Sequence, residues 1–562
     1  MRPSASHRDD DNATADFADC ADCLDQSAKS AQSAVSSRIF GAAHHEADGP
    51  LCGILSLSRR LASVNHTYPP AVTFRLLAAV LLAVFCQALI AGRAGAAEAG
   101  GNTARPNVVL VMADDQGFGD TGYNGHPNLK TPNLDALARE GLRLNRFYTA
   151  HFNCSPTRAS IMTGRHPDRM GTFNPGAPIR AQELTVAKVL QSAGYATGHF
   201  GKWHLNGKNG DKNTKDLPGR AILATDPLSP GKMGFDQWVS ADNFFDLDPV
   251  LGRNGVPEKF HGDSSDVTTD EALKFIRAQA AAGKPFFAVV WFGSPHVPHE
   301  ALAADKALYA SLSESEQNYY GELTAVDRSL GRVRAALREL KVSENTLLWY
   351  NSDNGGAAGP KSTGNLRGSK STLWEGGVRV PGLVEWPARI AKPFVSEMPC
   401  STLDMYPTIL AATGAVAEKQ IQPLDGVNLL PMFDGKMESR GKSIPFWNRA
   451  GGRDGHAALI DWPYKLHTNA AAAKPKGKKA APDAGEAAPG SSIQLYDVSK
   501  DPRETTDLAK EQPDRVAKMT AELEAWKKSV EKSLDGADYG TAAATEAKSD
   551  APPTRKKKPK QE

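Results

Sequence analysis

Cysteine is scarce in this 562-residue chain, with six in all. Four of them, Cys20, Cys23, Cys52 and Cys86, lie at or before an apolar segment that ends at Ile90. Only Cys154 and Cys400 fall in the long remainder, and two thiols cannot build a disulfide scaffold. Cys20-x-x-Cys23 has the spacing of a metal or redox pair, but a single pair in a polar leader reads as incidental. A surplus of either charge is also missing. Lys and Arg number 66 against 64 Asp and Glu, a net of +2, which argues against nucleic acid recruited by overall charge. Long hydrophobic runs are limited to Leu76–Ile90, preceded by Arg75 and followed by Ala94-Gly95-Ala96. That run is short for a membrane span and is broken by Gln87. Basic flank, apolar core and small-residue end make the layout of a secretory signal, with an uncleaved anchor as the alternative. Its place beyond residue 70 is unusual, and no methionine lies between Met1 and Met112 to offer a later start. Internal repeats are absent, which excludes a solenoid.

What is present divides the chain. Residues 1–70 are rich in Ser, Ala, Asp and His without periodicity and are expected to be a disordered leader, with the signal-like segment over 71–98. Strand and helix signals alternate over 105–432. Shorter strand signals at 457–460, 465–467 and 492–497, with a helix over 513–530, mark a smaller subdomain over 433–533. An Ala/Lys/Pro-rich insert over 470–490 lacks apolar residues to pack, and 534–562 reads as a disordered basic tail. The expected fold is α/β: a large mixed, mostly parallel sheet flanked by helices, with a smaller C-terminal α+β subdomain.

Four polar motifs each follow an apolar run of strand length. Asn107–Ala113 ends in Asp114-Asp115, and Ala196–Gly201 leads into Lys202-Trp203-His204. Phe286–Trp291 is followed by Ser294-Pro295-His296-Val297-Pro298-His299, and Thr346–Asn351 by Asp353-Asn354. Adjacent carboxylates at a strand end are ordinary turn formers or hard oxygen ligands for a divalent cation, and Asp353 with Asn354 suits the same ion. Open α/β sheets place their sites at these ends. Glycines at 117, 119 and 122 are expected to let the loop curl around a ligand. Residues 206–265 read as a long loop that shapes access to the site, with Asp242-Asn243-Phe244-Phe245-Asp246 as its one distinctive patch. Lys370, in Arg367-Gly368-Ser369-Lys370, is a solvated loop lysine or an anion-binding point charge.

Cys154 is the cysteine that needs explaining. It opens the helix signal Cys154-Ser155-Pro156-Thr157-Arg158, with Ser155 a candidate cap and Pro156 suited to the first turn. The helix dipole and Arg158, four residues on, are expected to push the thiol toward thiolate. Cys-x-Pro-x-Arg followed by Thr163-Gly164 resembles the sulfatase signature, and the resemblance extends in motif order over roughly 105–530.

In that family the cysteine is oxidised to formylglycine, whose aldehyde hydrate is the nucleophile. The resemblance implies that Asp114, Asp115, Asp353 and Asn354 bind calcium, or alternatively magnesium, together with the modified Cys154. It implies that Arg158 holds the hydrate and that Lys202 and Lys370 clamp the sulfate oxygens. His296 would protonate the leaving alcohol and His204 would take a proton from the second hydroxyl; His299 stays unassigned. It further implies a maturation enzyme that generates formylglycine, no nucleic acid, and no stable membrane span once the signal is cleaved. The expected substrate is a sulfate monoester, of a sulfated carbohydrate or an aryl alcohol, met by a periplasmic or secreted enzyme. The alternative is a phosphodiester or phosphonate ester hydrolase on the same scaffold. The substrate-reading edge is expected from 206–265 and the C-terminal subdomain, where no pattern can be decoded.

Overall fold

A computed structural model of the chain describes residues 105–207, 221–243, 247–359, 361–470 and 492–540. The leader, the signal-like segment, Phe244-Phe245-Asp246, the insert past 470 and the tail past 540 lie outside the described residues. The strands in chain order begin with β1 (Asn107–Ala113), β2 (Leu142–Leu144), β3 (Phe147–Tyr148) and β4 (Ala196–Lys202). Next come β5 (Gln237–Ala241), β6 (Val250–Arg253), β7 (Val256–Lys259), β8 (Phe286–Trp291) and β9 (Thr346–Ser352). Four short ones follow: β10 (Arg379–Val380), β11 (Gly382–Glu385), β12 (Phe394–Ser396) and β13 (Cys400–Ser401). The C-terminal set is β14 (Ile444–Trp447), β15 (Ala457–Asp461), β16 (Tyr464–Thr468) and β17 (Ile493–Asp497).

The main sheet has ten strands in the order β12-β2-β11-β9-β1-β8-β4-β5-β6-β7. At its centre β1 pairs in parallel with both β8 and β9, and β4 pairs in parallel with β8 and β5. These strands are apolar on both faces because both are covered. Val108, Leu110 and Met112 face one core with Ile161, Met162 and Ile409, while Val109 and Val111 face another with Phe275, Val326, Leu330 and Val333. The second core is closed by the helices Ser264–Ala281 and Glu314–Glu339, the first by Cys154–Thr163, Val186–Ser192 and Met405–Thr413. Each such side chain, fully buried, contributes about 1.5–3 kcal/mol. The fold class expected from the sequence is the one observed.

β14 to β17 form a separate antiparallel sheet backed by the helix Pro513–Leu534, whose Met519, Leu523 and Val530 pack on Leu459, Leu466 and Leu495. No described helix is long and apolar enough to cross a membrane.

Two expectations need correction. The stretch 206–265 is not all loop: β5, β6 and β7 extend the main sheet there. β7 is exposed at every position and pairs with β6 as the sheet's last strand, so it carries no buried face for a pattern to reveal. The tail does not begin at 534 either. The last helix runs to Leu534, and a short turn at Ala537–Tyr539 follows. Asp538 accepts from Arg165 at 2.8 Å and the Tyr539 hydroxyl donates to Glu183, polar partners more than 350 residues away in sequence.

Candidate active site

The four motif-bearing strands, β9, β1, β8 and β4, are neighbours, so their C-terminal ends form one continuous edge. Backbone bonds lock the ends together. The Asp114 N–H donates to the Ser294 carbonyl (3.0 Å), the Asp353 N–H to the Ala113 carbonyl (3.2 Å), and the Asp115 N–H to Asp353 Oδ1 (3.1 Å). Asp115 and His204 hold φ of +67° and +55°, left-handed values that non-glycine residues keep only where their surroundings enforce them. The glycines of the 117–119 loop are needed for close backbone packing. A Cβ on Gly117 would collide with the Ser362 carbonyl, and one on Gly119 with that of Lys361.

Cys154 is the first residue of a buried helix running to Thr163, and Asn153, at the N-cap position, makes no side-chain capping bond. Ser155 does not cap it; its hydroxyl accepts from the Gly176 N–H at 2.8 Å. Cys154 Sγ lies 3.7 Å from Asp114 Oδ1. Burial pushes the thiol up to about 12, with the Asp353 and Asp114 carboxylates adding to it and Lys202 and Lys370 opposing. The expected thiolate is therefore overturned: desolvation outweighs the helix terminus. Nor does Arg158 serve the sulfur directly. Its Nη2 donates to Asp353 Oδ2 (2.7 Å) and Asp114 Oδ2 (3.4 Å), its Nη1 to the Lys202 carbonyl (2.9 Å), and its guanidinium lies 5.1 Å from the Trp291 ring centre.

The remaining charges close around this centre. Lys202 Nζ bonds Asp114 Oδ2, and Lys370 Nζ bonds the Asp115 carboxylate at 2.6 Å. Burial alone would lower Lys370, but the Asp115 and Asp114 carboxylates beside it hold it above the usual lysine range. Asp114 is likewise desolvated upward, yet Lys202, His296 and Arg158 hold its carboxyl below the usual value. His296 bonds the Val297 carbonyl through Nδ1 (2.7 Å) and turns Nε2 toward Asp115 Oδ2 (3.8 Å). His204 is buried, and burial, with Lys202 and Arg158 beside it, holds the ring well below its usual value, hence neutral. All ten residues singled out in the sequence thus converge on one edge.

The donor set suits a hard divalent cation. Asp114, Asp115, Cys154 and His296 bring one candidate ligand atom each within 4.8 Å of one another. Asn354 donates its Nδ2 to Asp115 Oδ1 at 2.8 Å, leaving its buried Oδ1 without a hydrogen-bond partner. A buried amide oxygen beside two carboxylates is the kind of unpaired acceptor that a cation satisfies. Sequence reasoning missed three contributors. Trp291 lies under Arg158, and Asn153 and Ser371 join the Cys154 turn to the Lys370 loop through a 3.1 Å bond. Only Trp291, last of its strand, had a signal. His299 lies off the centre, in a pocket of about 370 Å³ with Asp120, His126, Tyr319, Tyr320 and Lys361.

Comparison with known proteins decides the family. The family model Sulfatase matches residues 106–415. The chain belongs to the sulfatase family. This sulfatase is 32% identical over 378 residues to N-acetylgalactosamine-6-sulfatase of Homo sapiens, spanning 60% of the chain and 67% of that relative. It is also 32% identical over 440 residues to arylsulfatase A of Homo sapiens, spanning 72% of the chain and 83% of the relative. Among solved structures, Ps i-CgsB in complex with k-i-k-neocarrahexaose is similar with a TM-score of 0.63 and 28% identity, covering 75% of this chain and 93% of that one. The protein is a sulfuric ester hydrolase.

Proposed function

We propose that this sulfatase hydrolyses a sulfate monoester of a sulfated carbohydrate, with Cys154 converted to formylglycine by a maturation enzyme and with calcium held at the strand ends. Simple aryl sulfates serve it as surrogate substrates, and it works outside the cytoplasm, in the periplasm or as a secreted enzyme. The observation that carries the reading is the setting of Cys154. Its side chain sits 3.7 Å from a carboxylate at the end of β1, between two lysines, as a thiol that burial keeps protonated and therefore a poor nucleophile. The substrate class draws support from the relatives, one named for N-acetylgalactosamine-6-sulfate chemistry and one solved with an oligosaccharide bound.

Asp114, Asp115, Asp353 and Asn354 would hold the metal, with the modified residue 154 beside it. When bound, the metal supplies positive charge that polarises the sulfate and favours a deprotonated hydroxyl. The aldehyde hydrate supplies the hydroxyl that attacks sulfur and a second hydroxyl for release. The other roles belong to the chain's own groups. Three carboxylates (Asp114, Asp115, Asp353) balance three cations (Arg158, Lys202, Lys370) in the cluster. With a divalent ion held there, the cluster would carry two positive charges, matching one sulfate monoester and one deprotonated hydroxyl. Lys202 and Lys370 place fixed charge against the sulfate oxygens in a water-poor site, where it acts strongly. His296 is anchored through Nδ1, so Nε2 is the atom that gives a proton to the departing alcohol. His204, neutral and buried, takes a proton from the second hydroxyl. Arg158 orients the hydrate while tying Asp114 to Asp353.

The test is release of inorganic sulfate from sulfated oligosaccharides and aryl sulfates by protein produced with a formylglycine-generating enzyme. Turnover of both supports the reading. Faster turnover of phosphonate or phosphodiester analogues would move it to the other ester class.

A further inference from the structure

The buried network between the C-terminal sheet and the Lys370 loop has no part in the chemistry described so far. Lys465 on β16 is fully buried between two carboxylates, at 3.0 Å from Glu375 Oε1 and 3.1 Å from Glu504 Oε1. Glu504 Oε1 also faces His467 Nε2 at 2.7 Å, and His467 Nδ1 faces His456 Nε2 at 2.9 Å. Burial holds both rings far below the usual histidine value, so they are neutral. Since a carboxylate only accepts, His467 donates from Nε2 and its Nδ1 accepts from His456, a one-way relay ending on Glu504. The other Glu504 oxygen accepts the Glu375 backbone N–H at 2.8 Å.

Glu375 ends the loop that carries Lys370. Trp374, beside it, packs its ring at a tilt against His467 with ring centres 4.2 Å apart, and the Arg367 guanidinium lies 3.5 Å over the Trp374 ring. Arg367 in turn donates to the Tyr496 hydroxyl (3.1 Å) and the Glu504 carbonyl (2.9 Å). Both ends of the segment 367–376 are therefore held from the C-terminal side. Its middle reaches the active centre: the Lys370 N–H donates to the Gly356 carbonyl and the Ser371 N–H to the Phe152 carbonyl, each at 3.1 Å, and the Ser371 hydroxyl donates to Asn153. Glu504 makes these bonds from a left-handed φ of +53°, a conformation a glutamate keeps only when held.

We propose that Glu504 is a positioning residue for the active site: by latching Glu375 and the flanks of Trp374, it sets where Lys370 stands. The C-terminal subdomain is then an integral brace of the catalytic centre, and Lys370 keeps its place against Asp115 because residues of another sheet hold its loop from behind. The inference rests on the sulfate-clamping role given to Lys370.

The experiment is a double-mutant cycle of Glu504→Ala with Lys370→Ala, read as kcat/KM on an aryl sulfate, together with amide exchange over 367–376. Glu504→Ala is expected to lower kcat/KM about 10–100-fold where Lys370 is present and less than about threefold where it is absent, the scale of misplacing one reacting group. Exchange at Lys370 and Ser371 should speed up about tenfold while β1 amides stay unchanged. Equal losses in both backgrounds, or unchanged exchange at Lys370 and Ser371, overturn the proposal. Where Lys370→Ala leaves no measurable rate, the exchange arm decides. Should Glu504→Ala not fold, Glu504→Gln, which keeps one oxygen for the Glu375 N–H, is read the same way with a smaller loss. Absence of sulfate ester turnover in the unaltered enzyme defeats the reading of its function; turnover without coupling defeats this inference alone.

Discussion

Asp114 Oδ1 accepts from the Cys154 thiol at 3.7 Å across 40 residues of sequence. The contact places the side chain of residue 154 at the end of β1 and beside two carboxylates, in a buried setting that pushes the thiol up to about 12. Modification at 154 is the first expected outcome. Mass spectrometry of the peptide ending at Arg158, from enzyme made with its maturation partner, should show an aldehyde in place of the thiol. Cys154→Ser should fold and lose multiple turnover, because a single hydroxyl cannot both attack and expel. Thiol alone, in protein that turns over sulfate esters, would refute the mechanism.

The two histidines should separate by leaving group. His296→Ala is expected to cost about 10²–10⁴-fold in kcat for alkyl sulfates and much less for aryl sulfates whose phenols leave unprotonated. His204→Ala should cost a similar factor whatever the leaving group. Burial depresses His204, so it stays a neutral base as pH falls and the rate should decline only below the ordinary histidine range. Matched leaving-group slopes in the two variants would refute this assignment, and exchanged slopes would reverse it.

Chelation should act on both rate and stability. The unpaired Asn354 Oδ1 and the paired carboxylates bind better with a cation present. At a hundredfold excess over Kd a ligand stabilises the folded state by about 2.7 kcal/mol. Calcium added to chelated enzyme should therefore raise the unfolding midpoint and restore turnover, and Asp114→Asn should blunt both. Elemental analysis of the purified enzyme identifies the ion, and an unchanged midpoint would count against the site.

A fourth expectation concerns acid. Arg169 grips Asp425 with two bonds of 2.7 and 2.9 Å, and the His166 N–H adds a third at 2.7 Å. Burial alone would raise the Asp425 carboxyl; Arg169 outweighs it and holds the group well below the usual carboxylate range. A depressed carboxyl contributes stability that is present above the unfolded value of 3.8 and is lost as pH falls through the folded one. Asp425→Asn leaves Arg169 buried without its partner and should cost about 3–5 kcal/mol near neutrality. The gap between the two proteins should narrow below about pH 4, as thermal unfolding at several pH values would show.

Much of this was legible before any fold was known. Asp114, Lys202, His296 and Asp353 each stood next to an apolar run whose residues face a core on both sides, a signal local enough to read directly. Ser371, Asn153 and Glu504 carried no such signal, because their roles come from single bonds to residues far away in sequence. β7 escaped notice for the opposite reason: exposed throughout, it has no pattern.

The sequence by itself determined the strand ends, the Cys-x-Pro-x-Arg turn and the kinds of group available, since apolar runs, turn residues and charges act over a few positions. Only the tertiary structure decided the order β9-β1-β8-β4, which turns four separate strand ends into one edge. It also decided the state of Cys154, a thiol near a helix terminus that complete burial between carboxylates keeps protonated. And it joined Glu504 to Glu375 across 129 residues. Strand order, desolvation and long-range bonds belong to the whole chain, because each depends on what the fold places next to a residue.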